Sequence, residues 1–380
     1  MQCIQCKGKG LCGLAVCPIT RRFHAQVAVK PAASYQGIAP SVFVGSAGYP
    51  DVRGGPLLIN DSDHPPDWLA RNLGIDDIVG IRARTIRGQS PARQFAGGLV
   101  EIALSSRPLD VDVAFERPVT FSLAFDGTVA PVGLTGEVKK LDVVGSASVA
   151  RVVDRVTSDT DLGATEACVE LSRGGSDVYG ITKLLTAGLL GRHRHFVPTR
   201  WAITAVDDTL SSALKKGIAR FPPIDRYLVF TAEVFGNRIV CILAPGDWRY
   251  EMIEVWGKQT LWAGDTEAIV QDREGMKKQG YSPISGAYYS ARLAVTEYLT
   301  GIRRSARVVV LRHITSEYWA PLGTWVIREA AKKAMASAPV ACTSLDEAIR
   351  AASAIAGFSY WQQHSTLLPE MRTQRTLFSF

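Results

Sequence analysis

A chain of 380 residues with 47% hydrophobic and 21% charged side chains has the ordinary balance of a globular protein, with room for one large or two average domains. No apolar run approaches the roughly 18–20 residues that span a bilayer, and the N-terminus lacks the order of a secretory signal. An integral membrane protein is excluded, and a reducing cytoplasm is expected, in contact with the nucleoid if the chain binds DNA. The formal charge of +7 is unevenly placed, because residues 1–30 hold Lys7, Lys9, Arg21, Arg22 and Lys30 with no acid, a candidate surface for phosphate.

The first segment carries Cys3, Cys6, Cys12 and Cys17 in a C-x2-C-x5-C-x4-C spacing. Four thiolates from so short a stretch close a tetrahedron around Zn2+ and leave no position for water, so the expected site is structural. Gly8, Gly10 and Gly13 permit the tight wrap, and metal binding, worth roughly 10–16 kcal/mol in zinc-finger peptides, would order a segment too short for its own core. Cys168, Cys241 and Cys342 stand in apolar contexts and read as core residues.

Residues 41–60 read as a short strand and a glycine-rich surface loop that lacks either phosphate-loop order. A helix follows at 63–73, with Asp63 as cap and prolines in its first turn. Helix is also expected at 89–104, strands at 109–115 and 119–125 divided by Pro118, and helical faces through 150–190.

The central stretch, 191–208, packs Arg192, His193, Arg194, His195 and Arg200 ahead of a β-branched and aromatic run closed by Asp207 and Asp208. Its residue types predict a strand at 199–206, with Asp207 or Asp208 capping a helix through Lys216. His193, Arg194, His195 and Arg200 are candidates to clamp phosphate, and Asp207 and Asp208 to hold a metal or accept a proton.

Three β-rich runs at 227–235, 238–243 and 248–256, joined by short glycine turns, read as an antiparallel meander. The expected fold is therefore α+β, the meander surrounded by helices, with a small N-terminal zinc knuckle. Residues 259–283 read as an irregular excursion, 284–299 as a helix, 307–314 as a buried strand, and 322–335 and 345–355 as the last helices. Ser344 is placed to cap the second of these, with Glu347 at capping-box spacing. The organisation is a zinc-binding segment at 1–30, a core at 31–365 and a flexible tail at 366–380.

That tail is polar except for Leu377, Phe378 and Phe380. Gln374, Leu377 and Phe380 fit the Q-x-x-h-x-x-a pattern of peptides that bind the sliding clamp PCNA, in which one helical turn presents an apolar plug to a pocket. The four-cysteine motif, SVFVGSAGYPDVRGGPL, HFVPTRWAITAVDD, GAYYSARLAVTEYL, PLGTWVIREAAKKAM and the tail QRTLFSF together resemble the archaeal DNA-repair family Nre. The resemblance implies a DNA-damage response protein recruited by PCNA, with a C4-type zinc motif at Cys3, Cys6, Cys12 and Cys17. The basic N-terminal segment is then expected to contact DNA. The other reading is an enzyme acting on a nucleotide or on DNA, with the core as its catalytic unit. A zinc-stabilised scaffold without nucleic-acid contact ranks last.

Overall fold

The computed structural model describes residues 6, 9, 13–27, 29, 31–120, 130–261 and 263–373. Cys3, Cys12 and the motif residues Gln374, Leu377, Phe378 and Phe380 lie outside them. The fold is mixed α and β with mostly antiparallel strand pairs. Among the described residues no helix is long and apolar enough to cross a membrane.

Helix α1 (Pro18–Val27) packs on α3 (Ile75–Arg84). The first half then builds two small sheets. One is antiparallel, with β1 (Ala32–Ala39), β6 (Leu109–Val119) and β8 (Val138–Val144) in that order. The other runs β2 (Ser41–Val44), β3 (Arg53–Leu58), β4 (Ile86–Gly88) and β7 (Leu134–Gly136), with β5 (Ser90–Pro91) on β3. A Cβ on Gly55 would lie 2.5 Å from the Gly88 carbonyl, so β3 and β4 approach so closely only because both positions are glycine. Helix α2 (Pro65–Ala70) starts with proline, and α4 (Ala96–Leu104) covers β2 and β8. Between residues 89 and 104 only the second part is α-helix. β6 runs through Pro118 to Val119, and residues 121–125 of the second strand expected at 119–125 lie outside the described residues.

Helices α5 (Arg151–Ser158), α6 (Ala164–Arg173) and α7 (Val178–Thr186) form a helical layer against α8 (Thr199–Ile218). Here the expected strand at 199–206 is overturned. Ala202, Val206 and Leu210 are all buried at a spacing of four, so helical period outweighs the β preference of individual residues. Asp207 and Asp208 fall in mid-helix, and neither caps a helix start.

The second half is a six-stranded sheet ordered β12 (Ala268–Glu274), β11 (Arg249–Trp256), β13 (Arg307–Ile314), β10 (Asn237–Ala244), β9 (Tyr227–Val234) and β14 (Val340–Cys342). β9 and β10 form the expected hairpin, with Phe235 at φ 50° and Gly236 at φ 67°, as a two-residue turn matched to strand twist requires. The meander stops there. Residues 245–248 pass over the end of β13, whose Arg307 pairs with Ala244 of β10 and with Arg249 of β11. β13 is thus inserted between the two strands and runs parallel to β11. The span expected to be irregular contains the edge strand β12.

α8, α9 (Ser285–Gly301) and α10 (Trp325–Met335) lie on one side of this sheet, and α11 (Leu345–Ala356) on the other. Ser344 caps α11, accepting from Glu347 N at 3.2 Å. Within the stretch expected to be a flexible tail, α12 (Leu367–Thr373) is docked, with Leu367, Leu368 and Met371 buried. Buried Glu251 accepts from Thr366 N at 2.7 Å and Leu367 N at 3.3 Å, so a carboxylate of β11 satisfies the free N–H groups opening this helix.

Candidate functional site

The turn Asp61-Ser62-Asp63-His64 enters α2, and its position is held by Trp68, whose indole N–H donates to the Ser62 carbonyl at 2.7 Å. His64 Nδ1 lies 2.9 Å from Asp67 and Nε2 lies 2.8 Å from Asp177, the residue capping α7. The hydrogen bond to Asp177, seconded by Asp67 and opposed by burial, holds the imidazole pKa up at about 9. His64 is therefore a cation at neutral pH that ties α2 to α7.

Two adjoining cavities open around this turn. The outer one, about 650 Å3, has His64, Asp67, Asp177 and Ser105 in its wall. The inner one, about 290 Å3, shares Ser41, Asp63, Tyr179 and Lys183 with it and continues to Arg82, Arg87, Arg200 and Arg328. Its walls come from β2, α3, β4, α7, the first turn of α8 and the start of α10. Burial, seconded by repulsion from Arg82, pulls the Arg87 guanidinium down to about 10, and burial pulls the Lys183 ammonium down to about 8. Burial also raises the Asp63 carboxyl, against Arg82 and Arg87.

Several walls are rigidly held. Lys183 Nζ donates to the Ser105 carbonyl at 2.7 Å, and Tyr179 donates to Glu329 at 2.6 Å. Arg328 forms a buried two-pronged pair with Asp207, at 3.0 and 2.6 Å. The Arg87 guanidinium stacks over Phe43 at 4.5 Å and Arg82 over Trp68 at 5.1 Å.

The central stretch does not converge on this site. Of its candidates only Arg200 lines the inner cavity. Asp207 is consumed by Arg328. Asp208 pairs with buried Arg292, which also binds Glu274 at 2.6 Å. Arg194, with φ 46°, donates to the carbonyls of Thr157, Asp159 and Leu189, tying down the end of α5. His193 and His195 are exposed and stack on one another, 6.2 Å apart. The one strong central cation cluster is therefore structural in part and dispersed. Sequence reading missed His64, Arg82, Arg87 and Lys183 as site residues. The signal available was DSDHPP, a histidine flanked by aspartates ahead of a proline-started helix.

At the N-terminus, Cys6 is buried, and Lys9 N donates to its carbonyl at 2.9 Å in a tight turn. Cys17 immediately precedes α1, where its carbonyl accepts from Arg21 N at 3.1 Å. Among the described residues no three metal-ligating side chains group together. The basic segment is only partly outward, since Arg22 is buried with Nη1 3.4 Å from the Ala130 carbonyl, and Arg21 lies 3.6 Å from Asp76.

Residues 11–263 match the family model described as Archaeal Nre, N-terminal, and residues 273–380 match Archaeal Nre, C-terminal. The chain is 37% identical to DNA repair protein NreB of Archaeoglobus fulgidus over 100% of both chains. It is 34% identical to DNA repair protein NreA of the same organism, with 93% of each chain covered. To DNA repair protein NreA of Haloferax volcanii it is 32% identical, over 83% of this chain and 81% of that one. No solved structure matches the chain. The inner cavity draws its walls from both matched regions, Ser41 to Ile203 from the first and Leu322 to Arg328 from the second. With both family models matched in order along the chain and relatives alike over most of its length, the protein belongs to the archaeal Nre family.

Proposed function

We propose that the protein is a DNA-repair factor held at the sliding clamp PCNA by its C-terminal peptide. The observation that carries this reading is where the Gln374, Leu377, Phe380 pattern falls. In sequence it begins at the residue following α12, whose Leu367, Leu368 and Met371 are buried, so the anchor residues follow in the chain directly on a docked helix. Relatives spanning most of the chain bear the name DNA repair protein, which supports the repair role. In this reading Gln374 fills a polar pocket of the clamp, Leu377 and Phe380 fill an apolar one, and Phe378 packs at its rim.

The four thiolates of Cys3, Cys6, Cys12 and Cys17 would hold a structural zinc ion. The turn after Cys6 and the position of Cys17 at a helix start fit a thiolate knuckle. Among the described residues, Lys9 and Arg21, the latter 3.6 Å from Asp76, are the exposed cations of this segment that would contact DNA phosphate. Two modest contacts on one chain raise local concentration, so neither needs high affinity. A core that processes a nucleotide or DNA is the alternative, and the cation-rich cleft favours it.

Calorimetric titration of purified clamp with the full-length protein and with Leu377→Ala/Phe380→Ala tests recruitment. The expected result is binding that weakens at least tenfold in the variant, about 1.4 kcal/mol or more. Equal binding by both proteins, or none by either, removes the clamp from the reading.

A further inference from the structure

We propose that the inner cavity between β2, α7 and α10 binds a phosphomonoester, carried by a free nucleotide or by a DNA end, with Arg82, Arg87, Lys183 and Arg200 as its cationic walls. Five basic side chains and one carboxylate line this cavity. Arg328 is neutralised by Asp207, which leaves four cations facing Asp63. Among the described residues, Arg82, Arg87 and Arg200 have no ion-pair partner. A phosphomonoester carries roughly two negative charges and three acceptor oxygens. A carboxylate ligand has one charge, too few for this surplus in a place where burial already disfavours the Arg87 and Lys183 cations.

Two polar groups in the same walls await a partner. The Thr186 hydroxyl, on a residue only 1% exposed, and Arg82 Nε have no hydrogen-bond partner among the described residues. Buried polar atoms are ordinarily satisfied, and a phosphate oxygen is a suitable acceptor for either. Phe43 and Trp325 line the same cavity, and the adjoining outer cavity gives room for the rest of the ligand. The combined size falls in the range of small-ligand sites, roughly 300–1,000 Å3. A duplex side-on is far too large for the inner chamber, so a nucleic acid would reach it only through a terminus.

The test uses the full chain. Deoxyadenosine 5′-monophosphate is titrated against deoxyadenosine, and a 5′-phosphorylated single-stranded oligonucleotide against its 5′-hydroxyl form, with inorganic phosphate as competitor. The phosphorylated form of at least one carrier is expected to bind ten times more tightly or better and to be displaced by phosphate. Preference confined to the mononucleotide identifies a free ligand, and preference for the oligonucleotide identifies a DNA end. Arg87→Met should abolish the preference. Arg200→Ala, at an exposed position where folding is not at stake, should reduce it severalfold. No preference for phosphate on either carrier, or one that survives both substitutions, overturns the proposal. Leu377→Ala/Phe380→Ala should bind as wild type does, which separates failure of this site from failure of the clamp reading.

Discussion

His64 shows how one side chain organises the mouth of the cleft. Its pKa rises from the ordinary 6.5 to about 9 because Asp177 and Asp67 accept from both ring nitrogens. A group whose folded pKa is raised contributes its full stability below the unfolded value and loses it as pH climbs through the folded one. The tie between α2 and α7 is thus fully present below about pH 6.5 and lost as pH rises through about 9. With 37% of the side chain exposed, solvent screening limits this contribution to roughly 1 kcal/mol. Urea unfolding at pH 6.5, 8 and 9.5 should show the wild type losing about that much more than His64→Gln across the range. Parallel losses in the two proteins would show that the imidazolium carries no stability. Asp63, beside it, was expected to cap α2, but His64 takes the cap position and no side chain bonds the helix start there. The environment of Asp63 depends on Arg82 and Arg87, which arrive from a different helix and strand.

Among the elements, α8 illustrates how local preference can mislead. The run TRWAITAV is rich in strand-favouring side chains, and a strand is a reasonable expectation for it in isolation. The burial of Ala202, Val206 and Leu210 on one face, against α9 and the layer of α5 to α7, makes the helix the lower-energy solution. The hairpin of β9 and β10 was legible because its turn chemistry is local. The placement of β11 was not, because β13, more than fifty residues later, takes the position beside β10. The N-terminal segment behaves differently, since no core of its own is available to it. Elemental analysis should find one zinc per chain, lost in Cys6→Ser while the main thermal transition of the rest of the chain persists. Wild-type protein free of zinc would remove the metal from the proposal.

For the whole molecule, the decisive contact joins the two matched regions of the family. Asp207 belongs to the first and Arg328 to the second, and their buried pair sets α8 against α10 behind the inner cavity. Removing one partner strands a buried charge, so Asp207→Ala should cost about 3–5 kcal/mol, measured by guanidinium unfolding. A loss below about 1 kcal/mol would mean that this pair adds little to the strand pairing and the other ion pairs that join the two regions.

By itself the sequence determined what neighbouring residues settle between themselves: the cysteine spacing, the tail pattern, the Ser344 cap, the β9–β10 turn and most helices. These depend on contacts within a few positions, where spacing and residue type carry the physics. Only the tertiary structure decided the cleft. Its cations stand at positions 82, 87, 183 and 200, its pocket wall at 322–328, and no local pattern links them. Charge that is innocuous on a solvated surface becomes chemistry only when folding places it with like charge in a partly closed cavity, and that placement is a property of the packed molecule.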